Sequence, residues 1–342
     1  LRHDFEPGSD DVYVSPSQVR RLNLKPGHRL AGPVRPPRRG EKYFALLHVD
    51  AINGGDVAAL RRRVQFAARS PVLPTERLRL DHPGASPALR AIDLLAPWGR
   101  GQRVLVAAPP GSGRTRLLLE IAEALRHNHP DVHVAMCLLD ERPEELTAIR
   151  RRLGSGEGGS PGADVVATTF DQPPARHVAL ADMTLARVQR MVEAGQDVVL
   201  LFDSLTSYVR ALNVDQPPTG KLVCVGLDAG ALLRPKRLFG AARTCEEGGS
   251  LTIVATALAG DDSRIDDAIL DEFHNRGNSD VVLDRALADQ RVSPSLDVLR
   301  TGTRREDMLL PPERIDELRR LRERLAPLDP RDRLAAVLEL LQ

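Results

Sequence analysis

The chain has 342 residues and a mass of 37.4 kDa, enough for two domains or for one large core with a small attachment. Lys and Arg total 48 against 47 acidic residues, and a formal net charge of +1 excludes a globally basic, tail-like protein. Three cysteines, Cys137, Cys224 and Cys245, share no close spacing, which excludes a disulfide scaffold and a four-thiolate zinc site. Aromatics are only 3%, so packing must lean on Leu, Val and Ala. No run of 18 apolar residues occurs, so no membrane span is expected. The opening LRHDFEPGSDD lacks the features of a signal peptide, and the expected setting is cytoplasmic and reducing.

Residues 11–53 read as short strands separated by Pro and Gly: YV at 13–14, HRLAG at 28–32 and KYFALLHV at 42–49. The charge is uneven here. Residues 14–63 carry eleven Lys or Arg against three acids, a segment able to attract a polyanion, although a solvated basic face is the plainer reading. Tyr43 and Phe44 point to opposite faces of an extended strand, so one is expected to fill a core while the other stacks on a base. About 40 residues are too few for an independent barrel. Residues 54–88 read as a connector rich in Arg and Pro.

From residue 89 the pattern changes. Apolar strands are expected at 104–108, 132–140, 164–170, 197–203 and 250–258. Helices are expected over about 115–127, after Pro143, and over about 176–194. Continuous apolar strands alternating with helices predict a mostly parallel sheet covered on both faces. GSGEGGSPG (154–162) reads as a flexible loop, and the tail from about 311 as amphipathic helix.

The turn Pro110-Gly111-Ser112-Gly113-Arg114-Thr115 lies between a buried strand and a helix, where backbone N–H groups and a helix N-terminus meet phosphates. The full phosphate-loop pattern wants Gly where Ala108 stands and Lys where Arg114 stands, so the motif alone is weak. Context strengthens it. A second strand ends in Asp203 after VVLLF, placed to organise Mg²⁺ through water while the Thr115 hydroxyl ligates it. Asp140-Glu141 closes a neighbouring strand. Glu141 is the candidate base for activating water, and capping of the next helix is the plainer alternative. Arg114 keeps the lysine's charge as a larger planar fork, at a cost of roughly a few kcal/mol in transition-state fit.

At these residues the chain resembles the bacterial transcription termination factor Rho family of ring-shaped, RNA-dependent ATPases and RNA–DNA helicases. The strings that carry the likeness include DVYVSPSQVRRLNL (11–24), KYFALLHVDAIN (42–53), RAIDLLAPWGRGQRVLVAAPP (90–110), LLFDSLTSYVRALN (200–213) and RTGTRREDMLL (300–310). The resemblance implies a RecA-like P-loop NTPase core, an α/β fold, preceded by a partial OB/cold-shock-like β segment. It divides the chain into an RNA-binding segment (1–53), the connector (54–88), the ATPase domain (89–310) and a helical region (311–342).

It also implies ATP and Mg²⁺ as cofactors. Single-stranded RNA is the implied partner, with a homo-oligomer in a hexameric ring and RNA polymerase as a further candidate partner. The family's Walker lysine and threonine fall on Arg114 and Thr115, its catalytic glutamate on Glu141 and its Walker aspartate on Asp203. Arg304 corresponds to the arginine that reaches a neighbour's nucleotide, and Arg291 to the preceding arginine near that interface. RNA-contacting loops correspond to 219–228, with Lys221, and 259–264, with Arg264. Glu41 and Tyr43 stand in base-pocket positions.

The sequence departs from the family at Arg114 and in the first loop, where KLVCVG replaces KVLTGG; fewer glycines make that loop stiffer. The loop at 154–162 is longer than usual, and the aromatic GFGF-like segment and helical piece that begin the family's barrel are not in this sequence. Two alternatives remain. One is a degenerate relative that binds nucleotide and RNA with little hydrolysis, favoured by Arg114. The other is a different RecA-like hexameric motor, disfavoured by DVYVSPSQVRR. HNH at 127–129 reads as a helix end rather than a metal site. Cys137 reads as a buried strand residue and His177 as structural, while Trp98 either packs near the nucleotide pocket or, the favoured reading, fills an interdomain gap.

Overall fold

The computed structural model describes residues 3–60, 63–154, 163–260 and 263–341. Arg61, Arg62 and most of the glycine-rich stretch at 154–162 lie outside the described residues. The expected parallel sheet is present. Its spatial order is Asp164–Thr169, His133–Glu141, Asp197–Asp203, Ser250–Leu258, Arg103–Ala108, Ser279–Val282 and Gly302–Thr303. The first six are mutually parallel, and Gly302–Thr303 closes that edge antiparallel.

The apolar runs are explained by burial on both faces. Along Arg103–Ala108, Val104, Val106 and Ala108 enter one hydrophobic layer with Leu118, Ile121 and Leu125 of the helix Arg114–Asn128. Leu105 enters the opposite layer with Val188, Phe202, Tyr208 and Ile253. Period-two alternation along a strand sends successive side chains to opposite faces, so only a sheet covered twice needs every position apolar. The C-terminal helices Pro312–Leu325 and Pro330–Leu340 bury Leu321, Leu325, Leu334 and Val337 in the first layer.

Three local features differ from expectation. Within 54–88, Pro71–Val72 pairs antiparallel with Arg243–Cys245, which in turn pairs with Ser250–Leu258, so this stretch contributes to the main sheet. Trp98 fills no interdomain gap: it is 1% exposed in the first core layer, and Trp98 pairs with Leu78 across a short ladder. Neither Tyr43 nor Phe44 joins a core; Tyr43 is half-buried and Phe44 is 42% exposed. The N-terminal strands are only two or three residues long and form two small three-stranded sheets, which leaves no continuous interior for an aromatic ring.

The N-terminal segment is seated on the helix Pro174–Glu193. Gly27 (φ 88) lies so close that a Cβ there would stand 2.4 Å from the Ala186 carbonyl carbon. Asn53 accepts from Arg187 Nη1 at 3.0 Å and donates to the Arg190 carbonyl at 3.3 Å. The 127–129 stretch is structural: Arg79 N donates to His129 Nε2 at 2.8 Å, and Asn128 donates to the carbonyls of Arg79 and Asp81. Cys137 is fully buried, its thiol pushed up to about 12 by burial, and His177 Nδ1 is 2.6 Å from Thr168 Oγ1.

Candidate functional site

The Pro110–Gly113 turn follows the end of the central strand Arg103–Ala108 and opens the helix Arg114–Asn128. Gly111 (φ 75) and Gly113 (φ 85) are left-handed with nothing within 4 Å of a built Cβ, so the backbone geometry demands glycine and the space beside it is open. Gly113 supplies no side-chain cap, which leaves the first-turn N–H groups facing that space. A cleft of about 340 Å³ lies alongside, lined by Gly111, Gly113, Leu117, Glu120, Arg291 and Leu296 among others, with no aromatic ring in its wall.

Asp203 ends the neighbouring strand but one and is almost fully buried. Its Oδ1 accepts from Thr256 Oγ1 at 2.7 Å, and Thr115 Oγ1 lies 3.3 Å from its Oδ2. The Arg114 guanidinium folds onto the same carboxylate, with Nε 2.9 Å from Oδ1. A hydroxyl beside a buried carboxylate, next to the phosphate-loop turn, is a hard-oxygen donor pair of the type that suits Mg²⁺. Among the described residues no group of three or more His, Cys, Asp or Glu is placed to hold a metal ion.

Glu141 reaches this region through a bulge. The strands His133–Glu141 and Asp164–Thr169 pair Leu138 with Ala167 and Glu141 with Thr169, so one strand spends an extra residue. Asp140 absorbs it at φ 68. The alternation is thereby broken: Asp140 is exposed and Glu141 is 9% exposed. Burial, a hydrogen bond with Glu145 and the charge of Asp203 push the Glu141 carboxyl up to about 7. The capping alternative finds slight support in one long contact, Arg142 N to Glu141 Oε1 at 3.4 Å.

The two candidate arginines separate. Arg291 (φ 57) lines the cleft beside its own phosphate loop. Arg304 does not. Its N–H donates to the Asn278 carbonyl at 2.8 Å, and the Asn278 side chain accepts from Arg103 N at 2.7 Å. Arg304 is therefore exposed at the beginning of the strand whose other end carries the phosphate loop, roughly 17 Å away at 3.3 Å per residue.

Lys221 and Arg264 are both exposed. Lys221 precedes a hairpin of Leu222–Cys224 and Leu227–Asp228, and Cys224 Sγ lies 3.8 Å from the Arg264 carbonyl, so the two loops are neighbours. Asp261 and Asp262 of the second loop lie outside the described residues. Gly226 (φ 91) makes the hairpin turn, and Asp228 accepts from Thr219 N, Thr219 Oγ1 and Gly230 N at 2.7–2.8 Å. In the N-terminal segment, Glu41 forms a two-pronged pair with Arg35 at 2.6 and 2.9 Å, which holds its carboxyl down at about 2. Both line a cleft of about 410 Å³ with Tyr13, Gln18 and Arg21. Tyr43 lies outside that lining, with Lys42 Nζ 5.1 Å from its ring centroid. Sequence reasoning missed Tyr13, Arg21 and Arg35; Arg35 and Glu41 on either side of a Pro-Pro turn were the available signal.

Two family models match different parts of the chain. Residues 1–58 match the Rho termination factor RNA-binding domain, and residues 88–302 match the nucleotide-binding domain of the ATP synthase alpha/beta family. Transcription termination factor Rho of Bacillus subtilis (strain 168) is 44% identical over 323 residues, covering 94% of this chain and 74% of that protein. The chain belongs to the Rho transcription termination factor family. The Rho proteins of Haemophilus influenzae and Chromobacterium violaceum are 44% and 46% identical, over 97% and 94% of this chain and 78% and 76% of theirs. A solved structure of a prototypical ATPase from the type III secretion system of pathogenic bacteria aligns with a TM-score of 0.62. It is 23% identical and covers 75% of this chain and 70% of that one, a likeness of fold alone. The nucleotide-binding fold is thus shared with another ATPase, and the match at 1–58 is what ties the chain to the Rho family.

Proposed function

We infer that this chain is an RNA-dependent ATPase and RNA–DNA helicase that moves along nascent RNA and terminates transcription. The observation that carries this reading is the joining of an RNA-binding domain of the Rho type at 1–58 to a phosphate loop flanked by buried Asp203 and Glu141. ATP occupies the turn 110–115, its phosphates facing the N–H groups of Gly111, Ser112 and Gly113. Thr115, and Asp203 through water, would hold Mg²⁺, which would supply charge neutralisation at the phosphates. Glu141 accepts the proton of the attacking water. Arg304, beside the end of the strand Arg103–Ala108 that lies away from the phosphate loop, enters the site of a neighbouring copy, and Arg291 borders the same interface. This requires a closed ring, read as a hexamer. Termination brings RNA polymerase in as the partner, and the working compartment is the cytoplasm.

RNA meets two surfaces. The cleft of Tyr13, Arg35 and Glu41, with Tyr43 beside it, captures bases; Lys221 and Arg264 hold phosphates at the ring centre and couple them to hydrolysis. Base stacking is worth about 1–3 kcal/mol. Tyr13→Ala and Tyr43→Ala should therefore weaken RNA binding by anisotropy while sparing maximal ATPase at saturating RNA. Lys221→Ala should lower that maximum however much RNA is added. All three variants should stay salt-sensitive, because the remaining basic residues still release counterions. The reverse pattern, with the tyrosines setting the maximum and Lys221 leaving it untouched, overturns the division into capture and coupling.

A second reading, nucleotide and RNA binding with little hydrolysis, is favoured by one observation, the engagement of Arg114 with Asp203.

A further inference from the structure

Asp203 is a buried carboxylate with a specific cationic partner. Its side chain is 2% exposed and that of Arg114 is 24% exposed, so the guanidinium is the more solvent-facing member of the pair and lies against the buried carboxylate. Both carboxylate oxygens accept a hydrogen bond, Oδ1 from Thr256 Oγ1 at 2.7 Å and Oδ2 from Thr115 Oγ1 at 3.3 Å, while Arg114 Nε approaches Oδ1 at 2.9 Å as an ion pair without hydrogen-bond alignment. The helix start fixes this arrangement. Arg114 is the first residue of Arg114–Asn128, set by the left-handed Gly113, and its neighbour Thr115 points its hydroxyl at the same acid.

An ionised buried carboxylate without a counter-ion is strongly disfavoured, so an ionised Asp203 calls for a positive partner. A guanidinium and a divalent cation compete for it, since like charges at contact distance repel. Guanidinium is also weakly hydrated and planar, which suits it to a buried ion pair and equally to a two-pronged grip on phosphate oxygens.

We propose that Arg114 is the resident counter-ion of Asp203 in the nucleotide-free site, and that it exchanges this carboxylate for the nucleotide's phosphates, so that a divalent cation gains Asp203 only together with nucleotide. The exchange makes metal and nucleotide mutually dependent ligands: whatever factor nucleotide adds to metal affinity, metal adds to nucleotide affinity. The arginine at this position then acts as an occlusion of the metal site as well as a phosphate contact. This inference rests on the nucleotide-site reading above and adds the order in which the site fills.

The test uses the full chain and reads binding rather than turnover. Mn²⁺ is titrated into the nucleotide-free protein and followed by the paramagnetic resonance of free Mn²⁺, for the wild type, Arg114→Gln and Arg114→Lys. Binding of fluorescent mant-ADP with Mg²⁺ is measured in parallel. The wild type should bind Mn²⁺ poorly without ADP and at least tenfold more tightly with it. Arg114→Gln, which leaves Asp203 bare, should bind Mn²⁺ without ADP at least tenfold more tightly than the wild type, and ADP should add little. Arg114→Lys keeps the charge with a more strongly hydrated group and should fall between the two; it also controls for folding, since it retains a counter-ion. Equal Mn²⁺ affinity in the wild type and Arg114→Gln, both folded by circular dichroism, overturns the exchange while leaving the nucleotide site standing. Failure of the wild type to bind mant-ADP at all strikes the nucleotide reading itself.

Discussion

Glu141→Gln should bind ATP about as well as the wild type and lose RNA-stimulated turnover by about 100-fold or more. Glutamine keeps the shape of the side chain and removes its capacity to accept a proton, and general-base catalysis is worth roughly 10²–10⁴ in rate. The pH dependence carries the same signature. The Glu141 carboxyl is pushed up to about 7 by burial, by its hydrogen bond with Glu145 and by the Asp203 charge. A base works only when ionised, so kcat/KM for ATP in the free enzyme should fall as pH drops below about 7. It should level off above that, and Glu141→Gln should lack this limb. Near-normal turnover in Glu141→Gln removes the residue from the role of base.

Arg304→Ala should assemble, bind ATP and lose roughly 10³-fold in turnover, the scale on which an arginine supplied by a neighbouring copy stabilises phosphoryl transfer. The placement makes the test sharper than the loss alone. Because Arg304 sits at the start of the strand whose far end bears the phosphate loop, its removal should injure only the adjoining copy's site. Rings mixed from Arg304→Ala and Glu141→Gln subunits contain some interfaces with both intact groups. Such rings should regain activity that neither protein shows alone. No recovery in rings shown to exchange subunits means that Arg304 does not act across the interface.

The core was legible because its physics is local. Short apolar runs of five to nine residues, bounded by turn residues and alternating with helical patterns, favour doubly covered strands, and the strand Asp197–Asp203 and the helix after Pro143 stand where the sequence places them. What escaped depends on contacts distant in sequence or on backbone detail. The pairing of Pro71–Val72 with Arg243–Cys245 joins residues more than 170 positions apart, so a stretch that reads as a connector becomes part of the sheet. The bulge at Asp140 that turns Glu141 inward has no composition signature, and its outcome decides which of two adjacent acids is buried.

In the candidate site the acids and the hydroxyl were readable as types at the ends of strands. Their convergence was not, because Thr115, Asp203 and Thr256 lie on three separate elements. Arg114 was legible as a departure in charge geometry, yet its partner was not: only the fold places Asp203 within reach of the guanidinium. The N-terminal aromatics show the opposite error. Strand alternation does not govern this pair, because Tyr43 lies just outside the strand Phe44–Leu46; strands of two and three residues enclose no core for either ring, and the cleft is built around Tyr13 instead.

The most direct test of the central claim is steady-state ATP hydrolysis by this chain with and without poly(C). The account predicts slow turnover alone and at least tenfold faster turnover with saturating poly(C), lost in Glu141→Gln under both conditions. Turnover that is the same with and without RNA, or absent in both, contradicts it.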